Sequence, residues 1–458
     1  MPDGPHSRRP SGRRAMSISP ERALGAADFT NETSARESKD RPPATRRAML
    51  GLGLGNTLEW YDWQIFGLLA VTIGPHFFRN ESSVDATLST LSIFAVGFAM
   101  RPIGGIVLGG VADRMGRRRV MLLSVAMMAL TTLVIGVIPD AGTIGVAAPL
   151  ILLVCRLLQG ISTGVEAPLS TAYGAEVMPK GRSGTAAGVI SFFVNFGILL
   201  ASLINYVLGL TLGDALMGDW GWRIPFWVGA VMGLVVLWLR RSLPETLHED
   251  DPEYVGSTSR VWGSVFRRWR SLLAIIFVVG AAQAFNYGWN VGLPTLARAR
   301  FHEDPTVVFG ITTVLALIMM GGSLVVGRLA DRWALSRVFL YGRFLMIPAV
   351  FLILLYVHKS IATFTVVLLV GAPVLVINMT LYVLVSTSLM PKGVRAAGCG
   401  LGYGVGVAAF GGTASYLVVW LSSNGLSGLF PLYMAVLAAL SIALYVWAKK
   451  TEGVSLGE

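Results

Sequence analysis

Apolar stretches of about 20 residues or more recur along this chain, the length an α-helix needs to cross a hydrocarbon core of about 30 Å. Short breaks of charged residues, Gly and Pro separate them. The pattern predicts helices over 48–76, 87–111, 119–139, 145–176, 184–210, 221–241, 271–297, 306–330, 337–358, 360–389, 395–422 and 427–448. The breaks alternate in charge. Those after the second, fourth, sixth, eighth and tenth helices carry Arg114 with Arg117 to Arg119, Lys180 with Arg182, Arg240 to Arg270, Arg332 with Arg337, and Lys392 with Arg395; Lys449 and Lys450 follow the last helix. The intervening breaks hold Glu81 and Asp85, Asp140, Asp214 and Asp219, and Glu303 and Asp304, with Arg79, Arg298 and Arg300 as exceptions. Basic loops resist translocation, so the alternation predicts an inner membrane protein with both termini in the cytoplasm.

Composition agrees with that reading and excludes others. Of 458 residues, 54% are hydrophobic and 14% charged, with a mean hydropathy of +0.64, which a soluble domain of this size does not show. The 53 glycines suit helices that pack closely without a hydrophobic drive between them. A net charge of +11 would draw nucleic acid if it formed an aromatic-interleaved face, but the basic residues gather at membrane edges instead. Cys155 and Cys399 lie far apart in apolar runs, so neither a disulfide framework nor a metal site is expected. The chain has no phosphate-cradling loop, no His pair for metal and no nucleophile elbow, which argues against an enzyme and against a bound cofactor. Residues 1–46 are rich in Arg, Ser, Pro and Glu, lack the apolar core of a signal peptide, and read as a disordered cytoplasmic tail.

An internal echo divides the rest. Gly109-Gly-Val-Ala-Asp113-Arg114 returns as Gly327-Arg-Leu-Ala-Asp331-Arg332, and Met178-Pro179-Lys180-Gly181 as Met390-Pro391-Lys392-Gly393, at nearly equal offsets. The fold class predicted is an all-α polytopic membrane protein of twelve helices in two six-helix halves, 47–241 and 271–450. A cytoplasmic linker spans 242–270 and a short tail 451–458. In such an architecture the substrate site lies between halves near the midplane.

Gly109 to Arg118 resemble in full the Gly-x-x-x-Asp-Arg-x-Gly-Arg-Arg signature of the major facilitator superfamily. Five further segments are similar to the metabolite:H⁺ symporter family, which includes permeases for α-ketoglutarate, citrate, shikimate, and proline or betaine. They are Gly55-Asn56-x-x-Glu59-Trp60-Tyr61-Asp62, Arg101-Pro102-x-Gly104-Gly105, Arg156-x-x-Gln159-Gly160, Gly221-Trp222-Arg223-Ile-Pro225-Phe226 and Arg241-Ser-Leu-Pro244-Glu245-Thr246. The resemblance implies the major facilitator fold and proton-coupled uptake. It also implies that Gly109, Asp113, Arg114, Gly116, Arg117 and Arg118, with the second-half Asp331 and Arg332, latch the halves. Two departures stand out. Gly164-Val165-Glu166 replaces the Gly-Gly-Glu frequent in the family, which puts close helix packing there in doubt. The Gly-Arg-Arg that should follow the second Asp-Arg is replaced at Ala334-Leu335-Ser336, which implies a weakened latch.

Glu59 and Asp62 sit three apart inside the first apolar run, on one helix face, with Glu59 roughly 15 Å from the cytoplasmic end. A charge at the bilayer centre is costly and marks either a coupling or binding role or a permanent ion pair. Arg101 in the second helix and Arg156 in the fourth offer the planar fork that holds carboxylates, so each answers either a substrate or one of those acids. Glu166 is a further proton candidate that serves equally as a structural acid, and Tyr61 joins the candidate substrate contacts. In the second half, Gln283, Asn286, Tyr287 and Asn290 share a stripe of the seventh helix, as Asn378 and Tyr382 do in the tenth. Each stripe reads as a cavity wall or as polar glue between helices. With no acid or Arg expected at midplane in that half, the substrate's charge falls to the first half. The leading reading is symport of a proton with a small carboxylate-bearing metabolite by a monomer. Proline or betaine uptake, proton-driven export and a non-transporting sensor are the alternatives.

Overall fold

The computed structural model describes residues 44–79, 81–115, 117–177, 182–241, 258–358, 360–391 and 394–452. Among these residues there are helices and turns and no strand. The first half of the chain supplies α1 (Ala44–Phe77), α2 (Ser83–Ala99 continued by Arg101–Met115), α3 (Arg117–Val137), α4 (Ala147–Val177), α5 (Ser183–Asp219) and α6 (Ile224–Arg240). A short helix, Thr258–Arg267, leads to the second half. There α7 (Trp269–Tyr287, a π-turn at Gly288–Gly292, then Leu293–Phe301) is followed by α8 (Pro305–Arg332), α9 (Leu335–Val350, ending in a 3₁₀ turn) and α10 (Ile361–Ser388). The last two are α11 (Arg395–Gly406, a π-turn at Val407–Gly411, then Gly412–Ser423) and α12 (Leu429–Glu452).

Eleven of these spans are long and apolar enough to cross a membrane. The remaining one, α1, is 34 residues long, roughly 50 Å by helical rise, and carries Asn56, Glu59, Asp62 and Gln64 within its apolar run. Helix starts follow local chemistry. Ser82 caps α2 by accepting from the Asp85 amide, Asp304 caps α8 through the Val307 amide with Pro305 in the first turn, and Ser360 and Thr363 form a capping box on α10. Side chains such as Leu130, Trp238, Phe344 and Val370 are exposed, which is the expected outer face of a multi-pass membrane protein whose solvent is lipid.

Most predicted spans agree with the structure at their edges. The fifth differs: α5 runs on to Asp219, but Gly213 has φ 72 and breaks its regular path, so the straight, membrane-length part ends close to where the apolar pattern does. The two π-turns were not legible in the pattern, since a single widened turn leaves the hydrophobic period almost unchanged.

Small residues decide where helices approach most closely. At the α2–α4 crossing a Cβ on Gly104 would overlap the Ile161 backbone, one on Gly160 the Gly97 carbonyl, and one on Gly164 the Arg101 carbonyl. The close packing that Val165 put in doubt is thus made by Gly164, one residue earlier. A second tight seam joins the chain halves: Gly184 and Gly188 of α5 lie against Gly327 and Ser323 of α8. Residues 49–458 form one compact unit, held together across the middle by such seams.

Candidate functional site

Glu59 and Asp62 are both buried, yet they face different neighbours. Asp62 accepts three hydrogen bonds: from Arg156 Nη1 at 3.0 Å, Thr132 Oγ1 at 2.5 Å and Gln159 Nε2 at 3.1 Å. Gln159 also donates to Thr132 Oγ1. All four residues belong to α1, α3 and α4, so this network lies within the first half of the chain. Arg156 is sandwiched as well, its guanidinium 3.8 Å from the Phe66 ring centre and 5.5 Å from that of Trp63. Tyr61 turns the same way, donating to the Pro225 carbonyl of α6 at 2.7 Å.

Glu59 instead meets Arg101, with Oε1 and Nη2 3.2 Å apart and both side chains 2% exposed. Arg101 lies 4.7 Å from the ring centres of Trp63 and Phe98. On its far side stand residues of the second half. Tyr403 of α11 stands beside Arg101 and stacks on Tyr382 with ring centres 6.2 Å apart, and Gln283 Nε2 of α7 donates to Tyr382 Oη at 2.8 Å. Tyr287 stacks on Trp60 with ring centres 6.0 Å apart and 6° between planes. The Glu59–Arg101 pair therefore sits where the two chain halves meet, ringed by aromatic faces.

Several buried polar atoms around it have no protein partner within hydrogen-bond distance: Tyr287 Oη, Gln283 Oε1 and Arg101 Nε. Buried polar groups left unsatisfied call for an explanation, and a solute or water bound among them is one.

The polar stripe of α7 is only partly in this cluster. Asn290 donates to Asn286 Oδ1 at 2.9 Å and its own carbonyl accepts from Gln64 of α1 at 2.8 Å, which ties the halves directly. On α10 the predicted pair separates: Tyr382 faces Tyr403 and Gln283, whereas Asn378 donates to Gly342 O of α9 at 3.0 Å. Beside the expectation of no acid or Arg at midplane in the second half stands Arg343, fully buried on α9 and donating to the Val278 carbonyl at 2.8 Å. It points into the α7–α9 contact, away from the tyrosines. Arg298, counted as a loop residue by the charge pattern, is also buried, inside α7, and donates to Leu68 O and Thr72 Oγ1 of α1, each at 2.7 Å.

At the opposite, basic end, Asp331 closes α8 onto α5. Its carboxylate accepts from the Gly184 and Thr185 amides at 2.7 and 2.9 Å and from Thr185 Oγ1 at 2.5 Å. These are the amides a helix start leaves unsatisfied, at the positive end of its dipole. This contact needs only a carboxylate and a helix N-terminus, and involves none of Ala334-Leu335-Ser336. Arg332 is exposed, and Arg118 donates to the Arg241 carbonyl within the first half. Gly116 lies outside the described residues, as do the side chains of Asp113, Arg114, Arg117 and Glu166; the backbone around Gly109 and these four is helical. Asp331→Asn weakens the cap without removing bulk, and it is expected to shift the protein toward states open at the basic end. Distance measurements between spin labels on the ends of α5 and α8 would read this as a longer population; an unchanged distribution would count against the latch.

Tyr403, Gln64, Thr132, Gln159 and Trp60 were not singled out as site residues by sequence, although Trp60 and Gln159 stood inside the quoted motifs. Tyr403 had one signal: it is a lone phenol in an otherwise Gly-rich run.

Residues 52–416 match the Major Facilitator Superfamily. The chain is 34% identical to the α-ketoglutarate permease of Escherichia coli (strain K12), with 93% of this chain and all of that protein covered, and 32% identical to the citrate-proton symporter of Salmonella typhi, with 90% and 97% covered. It is 29% identical to the proline/betaine transporter of Escherichia coli (strain K12), with 89% and 84% covered. Its fold is also that of the xylose transporter XylE from E. coli in a partially occluded inward-open conformation, at a TM-score of 0.69 and 16% identity, covering 91% of this chain and all of the other. A helical, multi-pass fold with a buried ion pair between its halves defines a membrane transporter rather than an enzyme. The chain belongs to the Major Facilitator Superfamily.

Proposed function

We propose that this protein is a proton-coupled symporter that takes up a small carboxylate-bearing metabolite, with Glu59 as the proton site and Arg101 as the substrate anchor. The observation that carries the reading is the Glu59–Arg101 pair, buried and facing Tyr403, Tyr382 and Tyr287 of the other half. A proton on Glu59 removes the negative charge that holds Arg101, and the guanidinium then needs a new acceptor. A substrate carboxylate supplies it, so proton and solute enter the same site together. Release reverses the order: Arg101 returns to Glu59 as the proton leaves, and the solute is displaced.

Asp62 does different work in this reading. Its three hydrogen bonds hold Arg156, Thr132 and Gln159 inside the first half and make no contact across the interface, so it positions α1 against α3 and α4. The halves 47–241 and 271–450 rock about the pair, with 242–270 as connection and 451–458 as a tail. Asp331 with Gly184 and Thr185 latches the basic end, and Arg298 with Leu68 and Thr72 closes the acidic one. The motif residues from Gly109 to Arg118 and Arg332 belong with the first latch. The basic end faces the cytoplasm of an inner membrane, with both termini and the tail 1–46, most of which lies outside the described residues. A monomer suffices.

The test is solute movement in proteoliposomes under an imposed pH gradient. With α-ketoglutarate, citrate, proline and betaine as probes, at least one is expected to accumulate when the interior is alkaline. Extrusion under that polarity would instead mean export, and binding without flux a sensor.

A further inference from the structure

Five arginines are buried among the described residues: Arg101, Arg156, Arg240, Arg298 and Arg343. Four are committed elsewhere. Arg156 is hydrogen-bonded to Asp62, Arg298 to Leu68 and Thr72, Arg343 to the Val278 carbonyl, and Arg240 ends α6 at the basic end. Arg156 shares the Trp63 ring with Arg101 and keeps two N–H groups without a partner, but its charge is answered by Asp62, so among the described residues one guanidinium, that of Arg101, faces the tyrosines where the halves meet. Around it are a carboxyl group, tyrosines, an indole and, beyond Tyr382, the Gln283 amide.

We infer that the solute accepted here carries a single carboxylate and no second negative charge: a monocarboxylate whose other end is uncharged or cationic, rather than a di- or tricarboxylate. The inference rests on the proposed symport through Glu59 and Arg101. When Glu59 holds a proton, Arg101 and one substrate carboxylate balance. A second carboxylate would lie among amides and phenols with no cation to answer it, and an unpaired buried charge is strongly disfavoured. The aromatic walls suit the other end. Trp60 and Tyr287 present parallel faces, and Tyr382 and Tyr403 stack with centres 6.2 Å apart; such faces accept apolar groups or attract an alkylammonium.

Ligand-induced thermal stabilisation of the purified protein tests this, because a ligand of the native state raises its apparent stability. The probes are betaine, its isostere 3,3-dimethylbutyrate, whose tert-butyl end is uncharged, proline and 2-oxobutyrate, set against α-ketoglutarate, succinate and citrate. A single-carboxylate compound is expected to bind at least tenfold more tightly than any of the last three, and Arg101→Gln to abolish its binding. Tighter binding by α-ketoglutarate, succinate or citrate overturns the inference. Should that compound also accumulate under an inside-alkaline gradient, the symport reading survives and only the substrate class falls. Should a monocarboxylate bind best yet fail to follow the gradient, the class stands and the symport reading falls. A gain-of-function variant gives an independent readout: Gln283→Arg adds a cation beside Tyr382, and is expected to bring α-ketoglutarate binding up at least tenfold relative to the native protein. No gain in a variant that folds with native thermal stability would overturn the inference.

Discussion

Proteoliposomes containing Glu59→Gln are expected to lose gradient-driven accumulation altogether while still exchanging solute across the membrane. The size of the effect follows from the gradient. One proton moving down two pH units supplies about 2.7 kcal/mol, enough for roughly 100-fold accumulation of a co-transported solute. The amide introduced by Glu59→Gln is neutral in every state, so Arg101 is permanently released for substrate and the proton is removed from the cycle. The accumulation ratio should then fall to about 1, with counterflow preserved. Arg101→Gln gives the complementary result, losing both accumulation and counterflow, because the carboxylate anchor itself has gone. If Glu59→Gln kept the full accumulation ratio, the proton would have to travel by another acid, with Glu166 the next to examine.

Asp62→Asn is expected to fail in a different way, through folding rather than coupling. It leaves the fully buried Arg156 guanidinium without the carboxylate that answers its charge. Removing one partner of a buried ion pair costs about 3–5 kcal/mol, a large share of the stability of most proteins. A marked drop in thermal stability and in yield of folded protein should follow, with partial recovery in the double variant Asp62→Asn with Arg156→Gln, where no orphaned charge remains. Glu59→Gln should be milder, since Arg101 keeps the Trp63 and Phe98 rings against its guanidinium and faces the seam between halves, where water enters when the site opens. Equal destabilisation by the two substitutions would contradict the division of labour between the acids.

That division shows where sequence reasoning stops. Two carboxylates three residues apart share a helix face, but three residues are about 300° of helical rotation, so their directions differ by about 60°. On a helix at the seam of two bundles that angle is enough to send Asp62 into one bundle and Glu59 to the boundary. The same limit explains Asn378 and Tyr382, four apart on α10, of which one bonds α9 and the other stacks on Tyr403. It also explains Arg298, which by charge pattern lay in a loop. A helix lengthened past the apolar run, and a neighbouring α1 with carbonyl and hydroxyl acceptors to offer, put it inside the protein instead.

What the chain's own order of residues determined is the part governed by the bilayer. Span length, apolar content and the alternation of basic breaks answer to a solvent that is the same for every helix, so an all-α fold of membrane-length spans, with two acids and two arginines buried within it, was legible residue by residue. Which acid meets which arginine, that Tyr403 completes the ring around Arg101, and that Asp331 caps α5 were decided only in the tertiary structure. Those pairings depend on helix rotation and on how closely glycines such as Gly104, Gly160 and Gly184 let backbones approach, and contacts between residues tens to hundreds of positions apart leave no local trace in the pattern.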